Sequence, residues 1–279
     1  MTATTATTVD TAAVPAVRRT GFGQVMLSEW TKIRSVRSTV WSLVILIVLF
    51  PAFAALFVGL GVAQWDQTTE QNRAQIIADP AATILGSGFL LSQLAICVLG
   101  VLVIASEYST GMIRASLLAV PQRTPMLAAK SLAFGLLVLA VSLVATFSGF
   151  FIGAAMLQSK VPVSLSDPGV FRAVVGSALY LAVLGLFALA IGAIVRHTAA
   201  GITGVIAFVL VLAPVVQLLP GKVGDYIHAY MPTEAGHLIS QAKQAPHDLL
   251  TPWQGFGVLC LWTAVLLAVA VILLKRRDA

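Results

Sequence analysis

The sequence predicts an all-α integral membrane protein: six transmembrane helices behind an N-terminal amphipathic interfacial helix, with both termini cytoplasmic. Three observations predict it. Six stretches, 40–63, 83–105, 132–157, 173–195, 199–219 and 256–274, contain no Asp, Glu, Lys, Arg or His. Each approaches or exceeds the roughly 20 residues with which a helix crosses about 30 Å of hydrocarbon, and in lipid the backbone must close its hydrogen bonds within the segment. The chain is 58% apolar and 10% charged, against about 25% charge in a soluble domain. Basic residues are also unequally distributed. Arg18, Arg19, Lys32, Arg34, Arg37, Arg114, Arg123, Lys130, Arg196, Lys275, Arg276 and Arg277 fall on one face of the six-span order, and only Arg73, Lys160, Arg172, Lys222 and Lys243 on the other. The positive-inside rule makes the first face cytoplasmic, so the pI of 9.7 reports topology and contact with anionic lipid.

Residues 1–20 are rich in Thr and Ala without an apolar core, which predicts a disordered cytoplasmic tail rather than a signal peptide. Residues 21–279 form one six-span domain. Its first element covers 22–37, where Phe22, Val25, Met26, Trp30, Ile33 and Val36 recur at three- and four-residue spacing, one face of a helix. With Lys32, Arg34 and Arg37 to the sides, this helix belongs in the membrane interface. Glu29 interrupts its apolar face. It either pairs with Lys32 one turn on or faces protein.

The first and fifth spans carry Pro51 and Pro214, which free a carbonyl and bend a helix. Gly149 with Gly153, and Ala188 with Gly192, have the spacing that allows close helix approach, read here as packing within one bundle. The connection 220–254 mixes Tyr226, Ile227, Tyr230, Leu238, Ile239 and Leu249 with Pro232, Pro246 and Pro252, which predicts short interfacial or re-entrant helices. Tyr226, Tyr230 and Trp253 suit an aromatic belt.

The segment 106–130 is the informative loop. Glu107, just past the second span, is costly to desolvate and needs a partner. If the helix continues, Arg114 lies two turns away on the same face. Gly111 between them permits a sharp turn, and Pro121 stops a short helix over 116–119. On the residues alone, a rigid charged knuckle that passes on a push and a structural turn sealed by an ion pair are equally good readings.

Chemistry classes fall away in turn. There is no phosphate-binding GxxxxGK[ST], no HExxH and no paired intramembrane carboxylate. His228, His237 and His247 are too widely spaced for a metal on one element, Cys97 and Cys260 are read as small apolar thiols inside spans, and no basic patch interleaved with aromatics supports nucleic-acid binding. Spans without Asp, Glu or His argue against proton or sodium coupling. Their neutral polar groups include Ser87, Ser92, Gln93, Thr203 and Gln217, the candidates for a substrate path, although Ser and Thr in membrane helices often bond their own backbone.

Two stretches carry a family resemblance: Ser28-Glu29-Trp30-Thr31-Lys32-Ile33-Arg34-Ser35-Val36-Arg37-Ser38-Thr39 before the first span, and Glu107-Tyr108-Ser109-Thr110-Gly111-Met112-Ile113-Arg114 with Pro121 beyond. With the six-span order they resemble the permease subunits of type-2 ABC exporters, particularly actinobacterial ones. The resemblance implies an elbow helix beside a cytosolic ATPase (Glu29, Trp30, Lys32, Arg34, Arg37), a coupling element that docks on it (Glu107, Tyr108, Gly111, Ile113, Arg114) and a capped exit over 220–254. It also implies pairing with a second permease copy, identical or paralogous, in a bacterial plasma membrane. ATP and magnesium would be bound by the partner ATPase, with no cofactor on this chain. Relatives carry several basic residues after the loop proline, where this chain has only Arg123. The expected activity is export of an amphiphilic, lipid-like or drug-like substrate. The rival readings are a membrane enzyme, which lacks buried acid, base or metal ligands here, and a non-transporting anchor or sensor subunit.

Overall fold

The computed structural model describes residues 21–35, 37–112, 123–218, 220–245 and 248–276. The N-terminal tail, Ile113, Arg114 and His247 therefore lie outside the described residues, as do the side chains of Arg34, Arg37 and Arg123. All regular structure among the described residues is helical. Helix α1 spans Phe22–Ser35 and α2 Arg37–Ala63. A single 3-10 turn at Trp65–Gln67 leads to the short α3, Glu70–Ala78. Then follow α4, Pro80–Ser109; α5, Arg123–Leu157; and α6, Val170–Val195. Helix α7 runs Thr198–Gln217, and α8, Gly221–Ala229, and α9, Pro232–His237, cap one face before the last helix α10, Pro252–Arg276. Six helices, α2, α4, α5, α6, α7 and α10, are long and apolar enough to cross a membrane. Six crossings return α10 to the face where α1 lies, called here the elbow face; the other is the cap face.

Helix α6 is the most enclosed of the six and packs on α4, α5 and α10. Close approach of α4 and α6 rests on Gly100: a methyl group there would stand far inside contact distance of the Gly185 carbonyl and 2.9 Å from the Ala188 Cβ. The Gly149–Gly153 pair works within the bundle, as the sequence suggests. A Cβ on Gly149 would meet Phe50 of α2 at 2.7 Å, and one on Gly153 would strike Ile84 of α4. Phe50 is fully buried and meets Phe89 edge-on at 5.5 Å.

Helix ends follow their caps. Asp79 starts α4, its carboxylate accepting from Ala82 N at 2.9 Å with Pro80 in the first turn, the pairing expected at a helix N-terminus. Arg196 ends α6 at φ 57°, and His197 Nδ1 accepts from Ala200 N at 3.2 Å to start α7. Within α7 the residues Ala207–Leu212 form a π-helical segment. Pro214 just beyond lacks the N–H that would bond the Leu210 carbonyl, so the local hydrogen-bond register shifts. The connection 220–254 does fold into short helices. Arg172 on α6 anchors it by donating to the carbonyls of Ile239 (3.4 Å), Gln241 (2.9 Å) and Ala242 (3.1 Å), while Asp79 accepts from Lys243 N at 2.9 Å.

Candidate functional site

The elbow face gathers charge from three elements. In α1, Val25 and Glu29 are four residues apart, on one side of the helix. Both are buried, at 4% and 1% exposure, because that side packs on α5. The Glu29 that interrupts the apolar pattern thus faces protein, and it also binds Lys32, whose Nζ stands 2.7 Å from Glu29 Oε1. On α5, Lys130 is 1% exposed among buried Met126, Leu127, Ala129, Ala133 and Phe134. Its ammonium donates to Glu29 Oε2 and to Glu107 Oε1, the latter at 2.8 Å. Lys32 Nζ lies a further 3.9 Å from Glu107 Oε1.

Two carboxylates and two ammoniums make a formally neutral group. Neutrality is what makes the burial tolerable, because an isolated buried charge costs several kcal/mol even after relaxation. One oxygen is left over: Glu107 Oε2 is buried with no hydrogen-bond partner among the described residues.

The last turn of α4 is tied on its other side as well. Tyr108 lies beneath the Arg196 guanidinium, 5.1 Å from its ring centroid, within cation–π range. Arg196 also donates to the Leu273 carbonyl of α10 at 3.3 Å. Neighbouring residues of α4 therefore engage α1 and α5 through Glu107, and the end of α6 through Tyr108, whose partner Arg196 in turn reaches α10. The helix stops directly afterwards, where Gly111 adopts φ 70°, a conformation costly for residues with a Cβ.

Of the predicted coupling residues, the structure brings Glu107 into the cluster, places Tyr108 beside it and puts Gly111 at the helix end. Ile113 and Arg114 lie outside the described residues, and so does any Glu107–Arg114 pair. In the elbow, Glu29 and Lys32 join the cluster and Trp30 is exposed at 40%. The intramembrane polar residues are not brought together. Ser87 donates to the Thr83 carbonyl at 2.8 Å, Ser92 is fully buried, and Gln93 accepts from the Tyr180 hydroxyl at 3.2 Å. Thr203 is exposed on α7. Gln217 opens onto a cap-face cavity of about 500 Å3 shared with Asp225, His228, Glu234, His237 and Asp248.

Sequence reasoning missed Lys130 and Arg196 as site members, counting both as topology charges. A signal was present for Lys130. Two carboxylates beside apolar runs each need a counter-ion, and Lys130 follows Met126, Leu127, Ala128 and Ala129 and precedes another apolar run, so helix can extend through it. For Arg196 there was no such signal, because its partners are a ring and a carbonyl brought near only by the fold.

A family model described as ABC-2 family transporter protein matches residues 24–279. The chain belongs to the ABC-2 transporter family. It is a membrane transport subunit of that family, not itself catalytic, and family membership implies association with an ATP-binding subunit. No curated protein matches the chain. The match begins inside α1 and so includes Glu29, Glu107 and Lys130, which places the whole charge cluster within the family's domain.

Proposed function

We propose that this ABC-2 subunit is the permease half of an ATP-driven exporter in a bacterial plasma membrane, and that the elbow face is cytoplasmic and docks the ATPase. The observation that carries the reading is the buried bridge from Glu29 through Lys130 to Glu107. Separating such charges inside protein costs about 3–5 kcal/mol, so α1 and the ends of α4 and α5 move as one body. A push on the elbow or on the segment 106–130 is then delivered to α4, which packs on α2, α5, α6 and α7. ATP and magnesium act on the partner subunit. Two permease copies enclose the substrate path, which opens by rigid-body tilting of helices. The charge-free spans suit an amphiphilic, lipid-like or drug-like cargo, and the cap 220–254 closes the outer end.

The test is co-purification with a candidate phosphate-loop ATPase subunit, followed by ATPase assay in vesicles. In Glu107→Ala and Arg114→Ala, association or stimulation is expected to drop at least tenfold. Unchanged association and stimulation in both variants would remove the coupling role. Labelling of an introduced cysteine near Lys275 from outside intact cells would reverse the orientation and remove the docking face.

A further inference from the structure

Among the described residues, Arg196 is the only one other than glycine with a positive φ, 57°. It ends α6, where its N–H donates to the Gly192 carbonyl at 2.9 Å. Glycine usually takes such a place, because a Cβ is disfavoured in the left-handed region. Backbone strain of this kind persists where surrounding contacts hold it. Arg196 has two such contacts, on different helices. Its guanidinium lies over the Tyr108 ring of α4, and it donates to the Leu273 carbonyl of α10.

Tyr108 and Leu273 each lie in the last turn of their helix, and those two helices share little other contact. Among the described residues, α4 packs on α2, α5, α6 and α7, while α10 packs chiefly on α6 and α9. Helix α6 stands between them, and Arg196 reaches past its end to touch both. The same end of α4 is wedged against the α6–α7 junction. A Cβ on Gly192 would stand 2.9 Å from Ile104, and one on Gly201 would stand 2.8 Å from Val101. Displacement of the α4 end is therefore felt at once where Arg196 sits.

We infer that Arg196 is a positioning residue of the coupling path, handing displacement of the α4 end on to the end of α10. The inference rests on the proposed role of that α4 end in receiving force, and extends it. The buried charge cluster gathers α1, α4 and α5 into one body, and Arg196 carries the movement of that body across α6. The residue type suits the task. A planar guanidinium can stack its face on a ring while its edge donates to a carbonyl, whereas a lysine ammonium is a point charge that cannot present a face and an edge together. The left-handed turn is what the chain retains to hold that group between two helix ends.

The test reads amide hydrogen exchange of the full chain in detergent, with no ATPase present. Glu107→Gln loosens the end of α4. In the parent it should speed exchange in 103–109 and also, about threefold or more, in 272–276, the scale of coupling between residues in one network. In an Arg196→Gly background the same change should speed exchange in 103–109 alone. Arg196→Gly also relieves the backbone, so its melting temperature should stay close to that of the parent, which separates loss of the relay from loss of the fold. Tyr108→Phe keeps the ring and should keep the response in 272–276, and Tyr108→Leu should lose it. Should Arg196→Gly elute as aggregate, the two Tyr108 variants carry the test. A response in 272–276 that survives in Arg196→Gly or in Tyr108→Leu overturns the assignment. So does its loss in Tyr108→Phe, or its absence from the parent. Failure of the parent to associate with any ATPase would instead remove the docking reading, while the exchange measured on the chain alone still decides the relay.

Discussion

At the elbow face, α1, α4 and α5 are joined through Glu29, Lys130 and Glu107, whose side chains are each 6% exposed or less. At the cap face, the half-buried Arg172 reaches across to backbone carbonyls, and the acidic side chains line an open cavity. The two arrangements fail differently. Removing one member of a buried charge group strands the others in a medium that cannot solvate them. Removing a guanidinium from carbonyls near water leaves acceptors that water can satisfy. One end is therefore all-or-none and the other yields gradually, which is the division of labour that the proposed exporter requires: rigid where force arrives, compliant where cargo leaves.

The largest expected effect tests the rigid end. Lys130→Met leaves Glu29 and Glu107 with only the partly exposed Lys32 as counter-ion, and should cost up to about 3–5 kcal/mol, read as a large drop in the melting temperature of the detergent-solubilised protein and as early proteolysis near α1. Adding Glu29→Gln and Glu107→Gln to Lys130→Met removes the stranded charge and should recover much of the loss. A Lys130→Met protein melting within a degree or two of the parent would mean that charge does not hold the elbow.

Much of this contrast could be read before the fold was known, and the remainder has a physical reason. The six spans were legible because lipid admits only helices of sufficient apolar length. The short helices of 220–254 were legible because Tyr, Leu and Pro alternate there too closely for a free loop. Glu29 and Glu107 stood out as carboxylates in costly places. Their shared partner did not, because Lys130 lies 101 residues from Glu29 and 23 from Glu107 in sequence, and pairing over such distances is set by packing rather than by spacing. Arg172 was similarly read as a loop charge, although its partners are carbonyls almost 70 residues away.

A smaller effect is expected at the compliant end. Arg172→Met removes the bonds to Ile239, Gln241 and Ala242, and should cost about 1–3 kcal/mol. The loss should be local, with faster amide exchange in 238–243 and little change in α4 and α6. Exchange that accelerates throughout α6 would show that the cap is integral to the bundle and that the contrast between the two ends is false.

The smallest effect is a dependence on pH at the cap face. His237 ends α9 against Phe89 and Tyr180, with ring centroids 5.1 Å and 5.9 Å away, both edge-on. Partial burial against these rings pushes its pKa down, to about 4 at the lowest, while in the unfolded chain it titrates near 6.5. The titratable groups sharing its cavity are Glu234 on α9, Asp225 and His228 on α8, and Asp248 before α10. Above pH 6.5 the imidazole is neutral in both states and contributes nothing to pH dependence. Between 6.5 and about 4 the unfolded chain binds the proton and the folded chain does not, so stability falls as pH falls. At pH 5 the loss is at most about 2 kcal/mol, visible as a melting temperature several degrees below that at pH 7.5. His237→Phe keeps the ring contacts without the titrating nitrogen and should remove that component of the slope. A slope that persists unchanged in His237→Phe would assign the acid sensitivity to groups other than this imidazole.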